Sequence, residues 1–125
     1  MKKLFDFPKL IKSFEVAFQG LKIALREQTF RIFALVTLLV VILMIVFQIP
    51  LHQKLMLILI ITFALALELI NSQIERMLNV FCPIHHPEVK LIKDISAGAV
   101  LLVSIGALII GLLIFLPHFL NFFGK

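Results

Sequence analysis

Residues 55–79, LMLILIITFALALELINSQIERMLN, form one helical pattern that begins apolar on all sides and then gains a polar face. The first half, residues 55–67, is apolar apart from Thr62. In the second half, a set of polar side chains falls within about 100° on a helical wheel. This polar stripe consists of Glu68, Asn71, Ser72, Glu75 and Asn79. Because an ionisable group is expensive in a membrane segment, the stripe is a hypothesis for a functional site.

The composition places the whole chain in the membrane class. The 125 residues are 62% hydrophobic, with no Trp, no Tyr and 13 Phe, and the mean hydropathy is +1.13. A small soluble domain of this composition would have to expose much of its apolar surface. We therefore predict a single integral-membrane domain over residues 1–125. The net charge is +5, and the basic residues that produce it lie beside apolar segments. This arrangement favours anionic lipid or phosphate over nucleic acid as the partner.

Three apolar segments are long enough to span a bilayer, and an amphipathic segment precedes them. The predicted spans cover residues 30–49, 53–79 and 89–116 approximately. Residues 7–28 combine basic and apolar faces, with Asp6 as the N-cap and Pro8 in the first turn. This pattern is typical of a helix on an anionic membrane surface, and packing against the bundle is a compatible alternative.

The distribution of Lys and Arg predicts the orientation. These residues concentrate before and at Arg31, and again between Arg76 and Lys93. The positive-inside rule therefore places the N-terminus in the cytoplasm and, after three spans, the C-terminus outside. Pro117 and residues 121–125 are predicted to form a C-terminal tail.

All three spans bring charged groups to one membrane level. Glu27 precedes the first span, Glu68 and Glu75 lie on the second, and Lys93 and Asp94 lie on the third. Carboxylates with a lysine suit Mg²⁺ held between protein and phosphates, and they suit phosphoryl transfer. A carboxylate at membrane depth could accept the proton of a lipid hydroxyl. The alternative is interhelical ion pairing alone, for example between Glu75 and Lys93.

The third span carries a face of small residues, which lets helices approach closely in lipid. We expect this face to complement the polar stripe. It consists of Ser96, Ala97, Val100, Ser104, Ala107 and Gly111, with Lys93 at its charged end.

Several motifs spread over roughly residues 13–116 form a joint pattern. They are Ala17-Phe18-Gln19-Gly20-Leu21, Glu27, Glu68-x-x-Asn71-Ser72-x-x-Glu75, His86-Pro87 and Lys93-Asp94-x-x-Ala97-Gly98-Ala99-Val100. This pattern resembles the prokaryotic diacylglycerol kinase and undecaprenol kinase family. The Ala97–Val100 form is similar to that of Gram-positive members, many of which are undecaprenol kinases.

The resemblance implies an all-α homotrimeric bundle in the bacterial cytoplasmic membrane, with a surface helix and three transmembrane helices per chain. It implies ATP-dependent phosphorylation of a lipid hydroxyl, on diacylglycerol or undecaprenol, at the cytoplasmic face with Mg²⁺. Glu68 then matches the general base, and Glu27 and Glu75 match the metal carboxylates.

The resemblance also implies binding residues. For the nucleotide these are Glu27, Glu75, Asn79, His86, Lys93 and Asp94, and for the lipid they are Glu68, Asn71 and Ala97. Asn79 stands where the family usually has Asp, so it keeps a carbonyl oxygen but loses a charge. If it only lowers metal affinity, Asn79→Asp should improve the use of Mg²⁺; reduced activity would mean that the site is built around the amide.

Two other function classes stay open. The chain could be a small transporter or channel subunit whose pathway the polar stripe lines, or a non-catalytic membrane scaffold. Lys93 and Asp94 beside Glu27 favour phosphate over a pore, and the retained carboxylates argue against a scaffold. The adjacent pair His85 and His86 lacks the ligand spacing of a zinc site.

Overall fold

The computed structural model describes residues 4–124 and contains four α-helices in that range. They are α1 Phe7–Ala24, α2 Gln28–Val46, α3 Leu51–Phe81 and α4 Pro87–Phe123. The last three are long and apolar enough to cross a membrane. The prediction of an all-α membrane fold with three such helices is therefore confirmed.

The start of α1 agrees with the sequence, whereas its end does not. The Asp6 carboxylate accepts a hydrogen bond of 3.3 Å from the Lys9 backbone N–H, and Pro8 lies in the first turn. The helix was predicted to continue to residue 28, but it ends at Ala24. The N–H groups of residues 26 and 27 bond to carbonyl oxygens three residues earlier, which tightens the last turn. Glu27 is then extended and precedes α2 as its N-cap residue.

A tight turn joins α2 to α3. Gln48 has a φ angle of 50°, a left-handed conformation that few residues other than glycine adopt. Ile49, which follows it, is 2% exposed and belongs to a small buried core with Met44, Leu57 and Ile114. The turn is thus held by burial of its apolar residue between the helices.

The end of α4 corrects the predicted tail, because the helix continues through Pro117 to Phe123. A proline removes one helical hydrogen bond, a loss that membrane helices tolerate when their surroundings compensate. The ring of Phe47 lies edge-on to Phe119 and Phe122, with centroid separations of 6.4 and 5.5 Å. Such aromatic pairs are attractive, and they fasten the last turns of α4 to the α2–α3 turn.

The central helix of the bundle is α3, which packs against both α2 and α4. A cavity of about 440 Å³ lies between these three helices, and its walls are almost entirely apolar. Ala64 and Leu65 contribute to it from α3, Phe33 from α2 and Gly111 from α4. Most large apolar side chains outside the small core are exposed in the single chain, as expected for a surface that lipid or further copies cover.

Candidate active site

Glu68 is the buried charged side chain of the described range, with 4% of its surface exposed. It lies on the part of α3 where the apolar run ends. Further along the same helix, Asn71 and Ser72 are half-buried, and Glu75 and Asn79 are exposed. The polar stripe thus passes from a buried carboxylate to accessible polar groups over about three helical turns.

The polar stripe faces α4 through two hydrogen bonds. The Ser96 hydroxyl donates to Oδ1 of Asn71 at 2.7 Å, and Nζ of Lys93 donates to Oδ1 of Asn79. Both donors belong to the small-residue face of the third span or to its charged end. The expectation that this face complements the polar stripe is therefore confirmed at these two points.

Arg76 joins the site to α2. Its guanidinium donates to Oε1 of Glu27 at 3.3 Å, and the two side chains are 58% and 24% exposed. Sequence reasoning missed Arg76 as a site residue. Its position one turn after Ser72 puts it at the edge of the polar stripe, and this was the available signal. Accessible ion pairs of this kind contribute only about 0–1 kcal/mol, so the Glu27 carboxylate can exchange its partner for a ligand.

The ion pair between Glu75 and Lys93, which the alternative interpretation offered as an example, is not among those of residues 4–124. In that range the interhelical ion pair is Glu27–Arg76, and Lys93 bonds to the neutral amide of Asn79. Interhelical ion pairing therefore accounts for only part of the charged cluster.

Three carboxyl groups of the predicted site lie at this end of the bundle. Glu27 stands at the start of α2, and Glu68 and Glu75 lie about two turns apart on α3. Within the described chain, neither Glu68 nor Glu75 forms an ion pair. Glu75 thus offers a carboxylate that no Lys or Arg of the described residues pairs with directly, and this group can bind a cation.

The donor set suits a metal ion that phosphates help to hold. The described residues contain no group of three or more His, Cys, Asp and Glu side chains able to bind a metal by themselves. Mg²⁺ in nucleotide sites usually takes only one or two protein carboxylates, and phosphate oxygens and water complete its octahedron. Glu27 and Glu75, which are accessible and carry oxygen donors, fit this requirement.

Two predicted site residues make other contacts, and a third is exposed. His86 caps α4, because its Nδ1 accepts a hydrogen bond of 3.1 Å from the backbone N–H of Glu88. Asp94 pairs with Lys90 of its own helix at 2.7 Å, and Ala97 is exposed. Their roles in binding nucleotide or lipid stay predictions.

Two comparisons with known proteins match most of this chain. The family model described as prokaryotic diacylglycerol kinase matches residues 15–115. The chain is also 34% identical over 113 residues to an undecaprenol kinase of Bacillus subtilis (strain 168), which covers 90% of this chain and 92% of that protein. No solved structure matches the chain. The matched range contains every residue of the polar stripe and its partners on α2 and α4. The chain therefore belongs to the prokaryotic diacylglycerol kinase family of membrane lipid kinases.

Proposed function

We propose that the protein transfers the γ-phosphoryl group of ATP to the hydroxyl of a membrane lipid, at the cytoplasmic face and with Mg²⁺. One observation carries this proposal: along α3, buried Glu68 comes about one turn after residues that line an apolar cavity and about two turns before accessible charged side chains. An apolar chain with a terminal hydroxyl fits the first environment, and a polyphosphate with its metal fits the second.

Glu68 is proposed as the general base. Ala64 and Leu65, about one turn earlier on α3, line the cavity, so a lipid chain there would direct its hydroxyl toward the Glu68 carboxylate. A lipid hydroxyl is not ionised at neutral pH, and a positioned carboxylate accepts its proton as the phosphoryl group arrives. Burial keeps water from competing for the phosphoryl group.

The accessible groups are proposed to hold the nucleotide. Glu27 and Glu75 would bind Mg²⁺ together with phosphate oxygens, and Lys93 would contact a phosphate. The bound ion would neutralise phosphate charge during transfer. Arg76, which pairs with Glu27, would orient one of the two carboxylates.

The lipid is proposed to be undecaprenol, with diacylglycerol as the second candidate. The name of the Bacillus subtilis relative, which matches over nearly the full chain, supports the polyprenol. In a radiolabelled-ATP assay with both lipids offered side by side to the purified protein, we expect most of the label in undecaprenyl phosphate. Equal or greater labelling of diacylglycerol would contradict the polyprenol assignment, and labelling of neither lipid would contradict the proposed function.

The orientation follows from the same proposal, because ATP is cytoplasmic. We infer a homotrimer in the bacterial cytoplasmic membrane, with α1 lying on the inner surface and the C-terminus outside. A cytoplasm-active reporter fused after residue 125 should be inactive, and a reporter that acts only outside should be active. The same reporters fused before residue 1 serve as the control and should give the opposite result. Cytoplasmic activity of the C-terminal fusion would contradict this topology.

A further inference from the structure

Lys93 has a neutral partner in a site crowded with carboxylates. Its Nζ donates a hydrogen bond to Oδ1 of Asn79, and within residues 4–124 it forms no ion pair. By contrast, Lys90, one turn earlier on α4, pairs with Asp94. Lys93 is half-buried, and its side-chain partner among the described residues is a neutral amide and not a carboxylate.

We propose that Asn79 is a positioning residue for Lys93. An ammonium group has three N–H donors, and a single amide oxygen occupies one of them. Two donors and the whole positive charge then stay available for phosphate oxygens. This inference rests on the proposed function, since it assigns the role of Asn79 in binding the nucleotide phosphates.

The neutral amide also keeps two opposite charges apart. Glu75 lies one turn before Asn79 on the same face of α3, so the Lys93 ammonium could otherwise pair with the Glu75 carboxylate. Such a pair would occupy the carboxylate proposed for Mg²⁺ and the lysine proposed for phosphate. By holding Lys93 at Asn79, the structure leaves both groups free for the nucleotide and its metal.

This role reverses the expected effect of Asn79→Asp. A carboxylate at position 79 would pair with Lys93 and compete with the phosphates for its charge. We expect the affinity for ATP to fall about tenfold, the scale of a hydrogen bond to a charged group, with no improvement in the use of Mg²⁺. A gain in Mg²⁺ use at unchanged ATP affinity would overturn the proposal.

A double-mutant cycle tests the coupling directly. The variants are Asn79→Ala, Lys93→Met and the double variant, and the readout is displacement of a fluorescent ATP analogue by ATP, which needs no turnover. Asn79→Ala alone should weaken ATP binding about tenfold. In the Lys93→Met background the same change should have no further effect, because the effects of two substitutions do not add when one residue acts through the other.

A matched control and a second variant keep the result interpretable. Asn71→Ala removes another amide of the polar stripe, one that bonds Ser96 and not Lys93, so its effect should add to that of Lys93→Met. Asn79→Asp, which keeps the size of the side chain, should lose its effect in the Lys93→Met background if Asn79 acts through Lys93. Equal effects of the position-79 changes in both backgrounds would overturn the proposal.

The wild-type protein separates this inference from the proposed function. If wild type labels either lipid from ATP and the cycle is additive, the lipid kinase stands and the role of Asn79 is refuted. If wild type labels neither lipid, the proposed function fails.

Discussion

Glu68→Gln is expected to lower turnover by roughly 10²-fold or more, the usual scale for loss of a general base, and to leave ATP binding little changed. Glutamine keeps the size of the side chain and one acceptor oxygen, but its amide cannot take up a proton near neutral pH. The carboxylates proposed for the metal, Glu27 and Glu75, remain in place. In this variant turnover should therefore fall while the affinity for ATP stays close to that of the wild type.

The measurement compares turnover with the displacement of a fluorescent ATP analogue, both on protein of wild-type oligomeric state. Glu15→Gln is a matched control, because it makes the same chemical change on the exposed surface of α1. It should leave both quantities unchanged. Near-normal turnover in Glu68→Gln would show that Glu68 has a packing role and that the base lies elsewhere or is not needed.

Glu75→Gln is expected to abolish turnover or to raise the Mg²⁺ requirement greatly. The amide removes one of the two negative charges proposed to bind the ion, and Glu27 alone, which is shared with Arg76, cannot replace it. The readouts are the Mg²⁺ dependence of turnover and, separately, the binding of Mn²⁺ with a non-hydrolysable ATP analogue, followed by electron paramagnetic resonance.

Glu88→Gln provides the control for the metal experiment, since Glu88 is an exposed carboxylate in the first turn of α4. Its Mg²⁺ dependence should equal that of the wild type. An unchanged Mg²⁺ dependence and unchanged Mn²⁺ binding in Glu75→Gln would remove Glu75 from the metal site.

The helical pattern of the sequence predicted the direction of the polar stripe but not its individual contacts. The period of 3.6 residues puts Asn71 and Asn79 on one face, and the small residues of α4 identify the face that packs against it. Which acceptor Lys93 selects depends on the rotamer of a long side chain. Glu75 and Asn79 are neighbours at four-residue spacing, so no sequence pattern distinguishes them.

Other features depended on tertiary structure. Local propensity predicts a break at Pro117, whereas contacts of Phe47 with the last turns of α4 stabilise the helix beyond it. The pairing of Glu27 with Arg76 depends on the turn between α1 and α2, which shortens α1 and places Glu27 at the start of the next helix. The position of Arg76 at the edge of the polar stripe marks the residue but not its partner, and neither contact can be predicted from its own segment of sequence.

The length of α3 has a chemical consequence. Its 31 residues extend about 46 Å at ~1.5 Å per residue, well beyond the ~30 Å of a hydrocarbon core. Measured from Leu55, where the apolar run begins, Glu68 lies about 20 Å along the helix and Glu75 about 30 Å. On the proposed function, the proton acceptor therefore lies inside the oily phase and the metal carboxylate lies at its boundary with water. A polyprenol and a nucleotide share no common solvent, so a helix that crosses the boundary lets each reagent stay in its own phase, whereas a phase-transfer catalyst in a flask must carry one reagent into the other phase.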